Sequence, residues 1–189
     1  MVHQVKPVNT TFDWGISSSN RKSPSYSSDD FFSEDLVQEL GHLGTQDLQG
    51  KYWETRSKMS KLRQVYKSCQ SNLSSQLPSS LRTFKEDIDV FLSKYKKRSI
   101  YIVYLLTQHT GFTETDLHGL TLEEAEELLS LIFDNLPSTI SKLKIVTGKG
   151  LHSQGGQAVL RPRIIELVKD LGYSAVESKD KAAVIVSVK

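Results

Sequence analysis

The sequence predicts an α/β protein: a C-terminal two-layer α/β sandwich with a four-stranded mixed sheet, preceded by a helical region and a disordered N-terminus. Two observations support this. In the last 77 residues, short apolar runs alternate with two stretches whose apolar residues recur every three or four positions. These are the spacings of strands and helices. Upstream, residues 51–107 show the helical spacing, with one interruption at Pro78 after a serine-rich stretch.

The composition is that of an ordinary globular protein, with 38% hydrophobic and 24% charged residues. A single cysteine, Cys69, excludes an internal disulfide and a zinc site built from cysteines, and it fits a reducing compartment. No apolar run approaches the roughly 20 residues that a membrane span needs, and the N-terminus lacks the apolar core of a signal peptide. We therefore expect a cytoplasmic monomer without membrane contact.

The first 50 residues divide into two segments. Residues 1–28 are rich in Ser, Asn, Lys and Pro, and such a segment cannot bury enough apolar surface to offset its ordering entropy. Residues 29–50 are predicted to form a short amphipathic helix and a linker. The helix, at 29–43, has Phe32, Leu36, Val37 and Leu40 on one face. Because so short a helix is marginal alone, it should dock on the rest of the chain or on a partner protein.

Residues 51–109 are predicted to form a basic helical extension. Apolar residues at helical spacing run from Tyr52 to Leu73 and, after Pro78, from Leu81 to Tyr95, which indicates a helical hairpin. The stretch 51–110 holds 12 basic and 4 acidic residues, a net charge of +8. That charge suits a phosphate-contacting surface, although a solvated helix face is an equally good interpretation.

The second helix of this hairpin is expected to end at a basic run, residues 94–98. Cations there would complement the helix dipole, or Lys96, Lys97 and Arg98 would contact nucleic acid. The apolar run Ile100 to Leu106 should then form one or two turns that pack against the C-terminal domain.

Residues 113–189 are predicted to fold in the order β-α-β-α-β-β. Thr121 begins the first helix, because its hydroxyl can cap the first turn and Glu124 completes a capping box. The glutamates of this helix should mostly face solvent: Glu123, Glu124, Glu126 and Glu127. Pro162 suits the first turn of the second helix, and Gly172 suits its left-handed end. The expected strands are 113–117, 142–147, 175–178 and 183–188, with both helices on one side of the sheet.

Two loops of this domain hold residues that could carry chemistry. Asp116 and His118 follow the first strand, and alternation along an extended chain directs their side chains to the same side. A glycine-rich loop from Gly148 to Gly156 follows the second strand. Because the carboxyl ends of parallel strands share one edge, Asp116, His118, Lys149 and His152 are expected to converge there.

Each loop is a weak signal when it is taken alone. The spacing around Lys149 is not that of a nucleotide P-loop, and histidines at strand ends are more often structural. A metal site formed by Asp116, His118 and His152 is a minor alternative.

The combination of motifs is far more specific, and it resembles the Smr (small MutS-related) family. The matching segments, in order, are Asp116 to Thr121, Ile145 to Ser153, Gly155-Gly156 and Val159 to Pro162. The resemblance covers residues 113–189, and the upstream helices are similar to an extension that often precedes eukaryotic Smr domains. One departure is the segment 179–183, where the family often has a glycine-rich stretch. This difference puts the strength of substrate binding in doubt.

The resemblance implies a two-layer α/β sandwich that cleaves nucleic acid, with eukaryotic members acting on mRNA at stalled or collided ribosomes. It places the functional residues at Asp116 and His118 and equates Lys149 with the central residue of the family's Gly-x-Gly motif. We expect nucleic-acid contacts from the two loops, the second helix and the basic run: Gly148, Gly150, His152, Ser153, Gly155, Gly156, Arg161, Lys96, Lys97 and Arg98.

The leading hypothesis is an endoribonuclease that uses acid/base chemistry, with no cofactor and no obligatory metal. Its expected partners are RNA, chiefly mRNA, and the ribosome. Two alternatives remain open at this point: a non-catalytic RNA- or ribosome-binding module, and a DNA-nicking Smr protein.

Overall fold

A computed structural model describes residues 32–71, 79–148 and 159–188. The predicted disordered tail, residues 1–28, lies outside this range. Among the described residues, three helices precede the C-terminal domain: α1 (Glu34–Leu40), α2 (Thr45–Ser71) and α3 (Ser79–His109). The described part of the domain has two helices and four strands: β1 (Glu114–Asp116), α4 (Leu122–Asp134), β2 (Lys142–Val146), α5 (Leu160–Asp170), β3 (Ser174–Glu177) and β4 (Ala183–Ser187).

The four strands form one mixed sheet in the order β1-β2-β4-β3, which confirms the predicted fold class. β1 pairs with β2 in parallel, and Asp116 lies opposite Val146. β4 pairs antiparallel with both β2 and β3. The carboxyl ends of β1, β2 and β3 therefore meet the start of β4 at one edge, called here the functional edge.

One face of the sheet is covered and the other is open. Along β2, Leu143 and Ile145 are fully buried, whereas Lys142 and Lys144 are exposed. The partners of the two buried residues on β4, Val186 and Val184, are also fully buried. Because the apolar sides of α4 and α5 share this core, both helices lie on the covered face, and the domain has two layers.

Helix α4 begins as predicted, with a capping box. The Thr121 hydroxyl accepts the Glu124 amide at 3.3 Å, and the Glu124 carboxylate accepts the Thr121 amide at 2.7 Å. Glu124, however, was expected to face solvent with its neighbours and is only 1% exposed. The reason is an ion pair with Arg56 of α2, a residue 68 positions away, which sequence periodicity cannot reveal.

The predicted hairpin is present as α2 and α3, but both helices are longer than expected. α2 begins at Thr45 inside the predicted linker and continues through Gly50. Glycine has a low helix propensity, but tertiary packing, here of the fully buried Leu48, outweighs it. The prediction that the second helix ends at residues 94–98 is wrong. α3 continues through the basic run to His109, because that run holds no helix breaker and the residues after it are buried against the domain.

The extension and the C-terminal domain share one hydrophobic core. Ile100 and Ile102 of α3 are fully buried in the same cluster as Leu117, Leu129 and Ile145 of the domain. This confirms that the apolar run of α3 packs on the domain. At the other end of α3 the predicted stripe is only partly buried: Ile88 is covered, but Phe84 and Phe91 are 43% and 50% exposed.

Helix α1 docks on its own chain. Phe32 and Leu40 are buried in the common core, and the rings of Phe32 and Tyr101 lie 4.4 Å apart. Arg98 of α3 adds a bond to Glu39, with Nη2 and Oε1 at 2.7 Å. Of the two predicted modes of docking, this is the intramolecular one. Within the described ranges, no helix is long and apolar enough to cross a bilayer.

Candidate functional site

The first candidate loop is a tight turn at the functional edge. The Leu120 amide donates to the Leu117 carbonyl at 3.1 Å, and Gly119, the third residue of the turn, has a φ of 84°. A left-handed backbone at this position favours glycine. Leu117 is buried, whereas Asp116 and His118 on either side of it are exposed, as strand alternation predicts.

Asp116 fixes the backbone of this turn. Its Oδ1 accepts the amide of His118 at 2.8 Å, a bond across two residues that is typical of an Asx turn. One carboxylate oxygen therefore orients the peptide that carries the imidazole.

The imidazole of His118 lies beside the start of the glycine-rich loop. A Cβ atom built on Gly148 would come within 3.8 Å of His118 Cδ2. The amides of Thr147 and Gly148 both donate to the Ala182 carbonyl, at 3.0 and 3.1 Å. The His118 turn, the start of the second loop and the β3–β4 turn thus meet at the functional edge.

The structure therefore brings together Asp116, His118 and Gly148 among the predicted site residues. The other predicted residues of the second loop lie outside the described range: Lys149, Gly150, His152, Ser153, Gly155 and Gly156. Their convergence on the imidazole stays a prediction.

Helix α2 supports the His118 turn directly. The Tyr52 hydroxyl donates to the His118 carbonyl at 2.7 Å. The next residue, Trp53, places its ring edge-to-face with the imidazole, with centroids 5.9 Å apart. The same two side chains lie against Gly119, where an added Cβ would meet the Tyr52 hydroxyl at 3.1 Å. The turn consequently has little room to shift toward α2.

An ion pair joins α2 to the helix that follows the turn. Arg56 Nη1 donates to both carboxylate oxygens of Glu124, at 2.8 and 2.9 Å. Since Glu124 also accepts the Thr121 amide, one buried carboxylate links α2 to the first turn of α4. A buried carboxylate needs such a partner, because desolvating an unpaired charge is costly.

Burial raises the pKa of Tyr52 to about 12. Desolvation is the largest cause, since ionising the phenol would place a negative charge in the shared core. Arg56 opposes the increase, and Glu124 and Asp116 add to it. The hydroxyl therefore remains a hydrogen-bond donor to His118 over the whole physiological range.

The β3–β4 turn covers the segment 179–183 that departs from the family pattern. Lys181 adopts a left-handed backbone with a φ of 57°, a conformation that glycine adopts more easily. Arg161 Nη1 donates to its carbonyl, and Arg161 Nε lies 3.4 Å from the Glu177 carboxylate. Asp180 accepts the Ala182 amide at 3.2 Å. The turn is thus held by side-chain bonds without a glycine-rich stretch, and the predicted nucleic-acid contact of Arg161 would come in addition to this role.

The basic run on α3 makes ion pairs within the chain. Lys96 Nζ lies 2.8 Å from carboxylate oxygens of both Glu123 and Glu127, and Arg98 binds Glu39. These contacts favour the structural interpretation of Lys96 and Arg98, whereas contact of the run with nucleic acid, Lys97 included, stays a prediction.

Sequence reasoning did not single out Trp53 and Arg56, and it placed Tyr52 only in the hairpin stripe. Tyr52 and Arg56 reach partners 66 and 68 positions away. Because local spacing carries no information about such contacts, the one available signal was an aromatic pair, Tyr52-Trp53, inside a basic helix. In the part of the chain that the structure covers, no group of three or more His, Cys, Asp or Glu side chains is arranged to hold a metal ion.

The fold and the functional edge define a two-layer α/β domain with an exposed imidazole and carboxylate at the carboxyl ends of parallel strands. Residues 115–184 match the family model of the Smr domain. The C-terminal domain is therefore an Smr domain, one of a family of nuclease and nucleic-acid-binding modules. Comparisons with curated proteins and with solved structures give no match.

Proposed function

We propose that this protein is an endoribonuclease that cuts single-stranded RNA at the functional edge, with mRNA on stalled or collided ribosomes as its cytoplasmic substrate. The observation that carries the proposal is the position of His118. Its imidazole is exposed, its backbone is held by Asp116 and Tyr52, and it lies next to Gly148 of the glycine-rich loop. A proton-transfer group is useful only when its position is fixed in this way.

His118 is the proposed proton acceptor. Imidazole is the side chain best suited to gain and lose a proton near neutral pH. It takes the proton from a ribose 2′-hydroxyl, the 2′-oxygen bonds to phosphorus, and the bond to the 5′-oxygen breaks. The leaving oxygen takes a proton from solvent, and His118 then releases its own. The products are a 2′,3′-cyclic phosphate and a 5′-hydroxyl.

The remaining predicted residues act on the phosphate. Lys149 follows Gly148 directly, so its ammonium group is proposed to offset the negative charge that grows on the phosphoryl oxygens. Glycines in this loop would permit close approach of backbone amides to the phosphate. Asp116 is proposed to orient the turn that carries the imidazole, by the bond to the His118 amide.

The test uses the full chain and a 5′-labelled single-stranded RNA, with and without chelator. We expect cutting in both conditions, with cyclic phosphate ends. His118→Ala should slow cutting by about 10²- to 10⁴-fold while RNA binding survives, and His42→Ala is the matched control. His42 is an exposed histidine between α1 and α2 whose ring contacts the Gln38 carbonyl.

Three other outcomes would replace the proposal. A wild type that binds RNA and never cuts it would leave a binding module. Preferential nicking of a supercoiled plasmid over an RNA of matched length would indicate a DNA nuclease. Cleavage that stops in chelator and leaves 5′-phosphates would indicate the metal-site alternative.

A further inference from the structure

An exposed indole lies beside the proposed nuclease site and has no role in the chemistry described above. Trp53 is 54% exposed, although its neighbour Tyr52 is buried. Its ring lies 5.9 Å from that of His118 and 5.1 Å from that of Tyr52. An indole that served only to brace the imidazole would gain more by burying its apolar surface, so the exposed part of Trp53 is available for contact with a ligand.

The position of the indole is fixed relative to the imidazole. Trp53 lies on α2 between Tyr52, which binds the His118 carbonyl, and Arg56, which binds Glu124 at the start of α4. The hydrogen bond and the ion pair tie this stretch of α2 to both sides of the His118 turn. A ligand that reaches the imidazole therefore lies next to an aromatic ring whose position is fixed.

The chemistry of that ring selects an unpaired nucleobase. Proteins bind single-stranded nucleic acid by combining cationic groups for the phosphates with aromatic rings on which splayed bases stack. The helical extension that carries Trp53 is also the basic part of the chain, with a net charge of +8 over residues 51–110. A paired base inside a duplex has no free face to offer, so stacking here would select for single strands.

We propose that Trp53 stacks on an unpaired base next to the phosphodiester held at His118. The inference rests on the proposed function for the position of the RNA, and it adds a substrate-binding residue that lies outside the 115–184 family match. Trp53 positions the RNA, whereas His118 acts on it.

The most direct test is fluorescence. The chain has two tryptophans, Trp14 and Trp53, so Trp14→Phe leaves Trp53 as the sole indole. A 2′-O-methyl single-stranded RNA has no free 2′-hydroxyl and stays uncut under the proposed mechanism. Titrating it should quench Trp53 emission in a saturable way. An oligonucleotide of the same length with abasic sites should bind, as labelled anisotropy reports, with little quenching. Binding of the intact oligonucleotide that leaves Trp53 emission unchanged would overturn the inference.

Kinetics separate stacking from a bracing role. Trp53→Ala should weaken RNA binding and raise KM by roughly 5- to 150-fold, the range expected for one stacked base, with kcat less affected. Trp53→Phe should recover part of the loss. Phe91→Ala removes another exposed aromatic ring of the extension and should leave both values unchanged. A loss confined to kcat, with KM unchanged, would show that Trp53 only braces His118.

The two proposals fail in different ways. Quenching by an RNA that the wild type never cuts would remove the nuclease proposal and retain Trp53 as a binding residue. Cutting by the wild type without quenching of Trp53 would retain the nuclease proposal and remove Trp53 as a binding residue.

Discussion

The two turns at the functional edge are supported from different parts of the molecule. The His118 turn is held by Asp116 within the domain and also from outside it, by Tyr52 at its carbonyl and by Arg56 at the start of the following helix. The β3–β4 turn is fixed from within the domain, by Arg161. The proposed catalytic histidine thus lies within the family match of 115–184, but part of its support does not. From this difference we predict that the helical extension contributes to the proposed activity by holding His118 in position.

The largest expected effect is on the cleavage rate, and it comes from His118, the residue that the extension supports. His118→Ala removes the proton acceptor and should lower the RNA cleavage rate by about 10²- to 10⁴-fold, the usual contribution of acid/base catalysis. Single-turnover cleavage measures the change, and circular dichroism checks that the fold is intact. A rate that falls less than about tenfold would assign the proton transfer to another group.

The next effect concerns the buried ion pair that joins the two regions. Arg56→Met leaves the carboxylate of Glu124 buried without its main partner and should cost about 3–5 kcal/mol in the free energy of unfolding. Denaturant titration measures it. Arg163→Met is the control, because Arg163 binds Glu126 at a more exposed site and its loss should cost about 0–1 kcal/mol. Equal losses in the two variants would mean that the Arg56 pair is no stronger than a surface contact.

A smaller effect is expected at the other turn. Arg161→Met removes the donor to the Lys181 carbonyl and should cost about 1.5–3 kcal/mol in stability, the value of a hydrogen bond to a charged group. If Arg161 serves the turn alone, where its guanidinium already binds, the salt dependence of RNA binding should stay the same. The slope of log K for RNA binding against log salt concentration is negative, and a decrease of about 0.7 in its magnitude would instead show a phosphate contact at Arg161.

The smallest stability effect is expected at Tyr52, and it depends on pH. The pKa of this phenol is about 12 in the folded chain, above its ordinary value of 10.0. Below pH 10 both folded and unfolded chains keep the proton, so it has no effect on the pH dependence. As pH rises from 10 toward 12, the unfolded chain ionises first and the stability decreases. Tyr52→Phe should lose about 1 kcal/mol at neutral pH and remove this part of the alkaline decrease.

Denaturant titrations of the wild type and Tyr52→Phe at pH 7 and pH 11 measure this effect. Parallel decreases in the two proteins would assign the alkaline sensitivity to other groups.

Features set by neighbouring residues could be predicted from the sequence. The capping box of Thr121 and Glu124 was recognisable because its residues lie three apart. The end of α5 was recognisable because Gly172 adopts a φ of 85° that glycine favours. Strand alternation also gave the shared exposure of Asp116 and His118.

Features set by distant contacts could not be predicted in this way. The continuation of α3 through residues 94–98 depends on packing against the domain, and the burial of Glu124 depends on Arg56. The contact of Trp53 with His118 joins two segments that carry no common motif. The sequence therefore indicated the site residues of the family but not the part of the extension that supports them.

The most direct test of the account is the single-turnover rate of RNA cleavage by Tyr52→Phe, measured at neutral pH at a temperature where the variant is fully folded. This variant removes one hydroxyl, and with it the bond from α2 to the His118 carbonyl. If the extension holds the imidazole in place, the cleavage rate of Tyr52→Phe should fall several-fold while the Kd for RNA stays the same. Tyr66 is a half-buried tyrosine farther along α2, so Tyr66→Phe is the control and should cut RNA as fast as the wild type. A Tyr52→Phe protein that cuts RNA at the wild-type rate would contradict the claim that the helical extension positions His118 for cleavage.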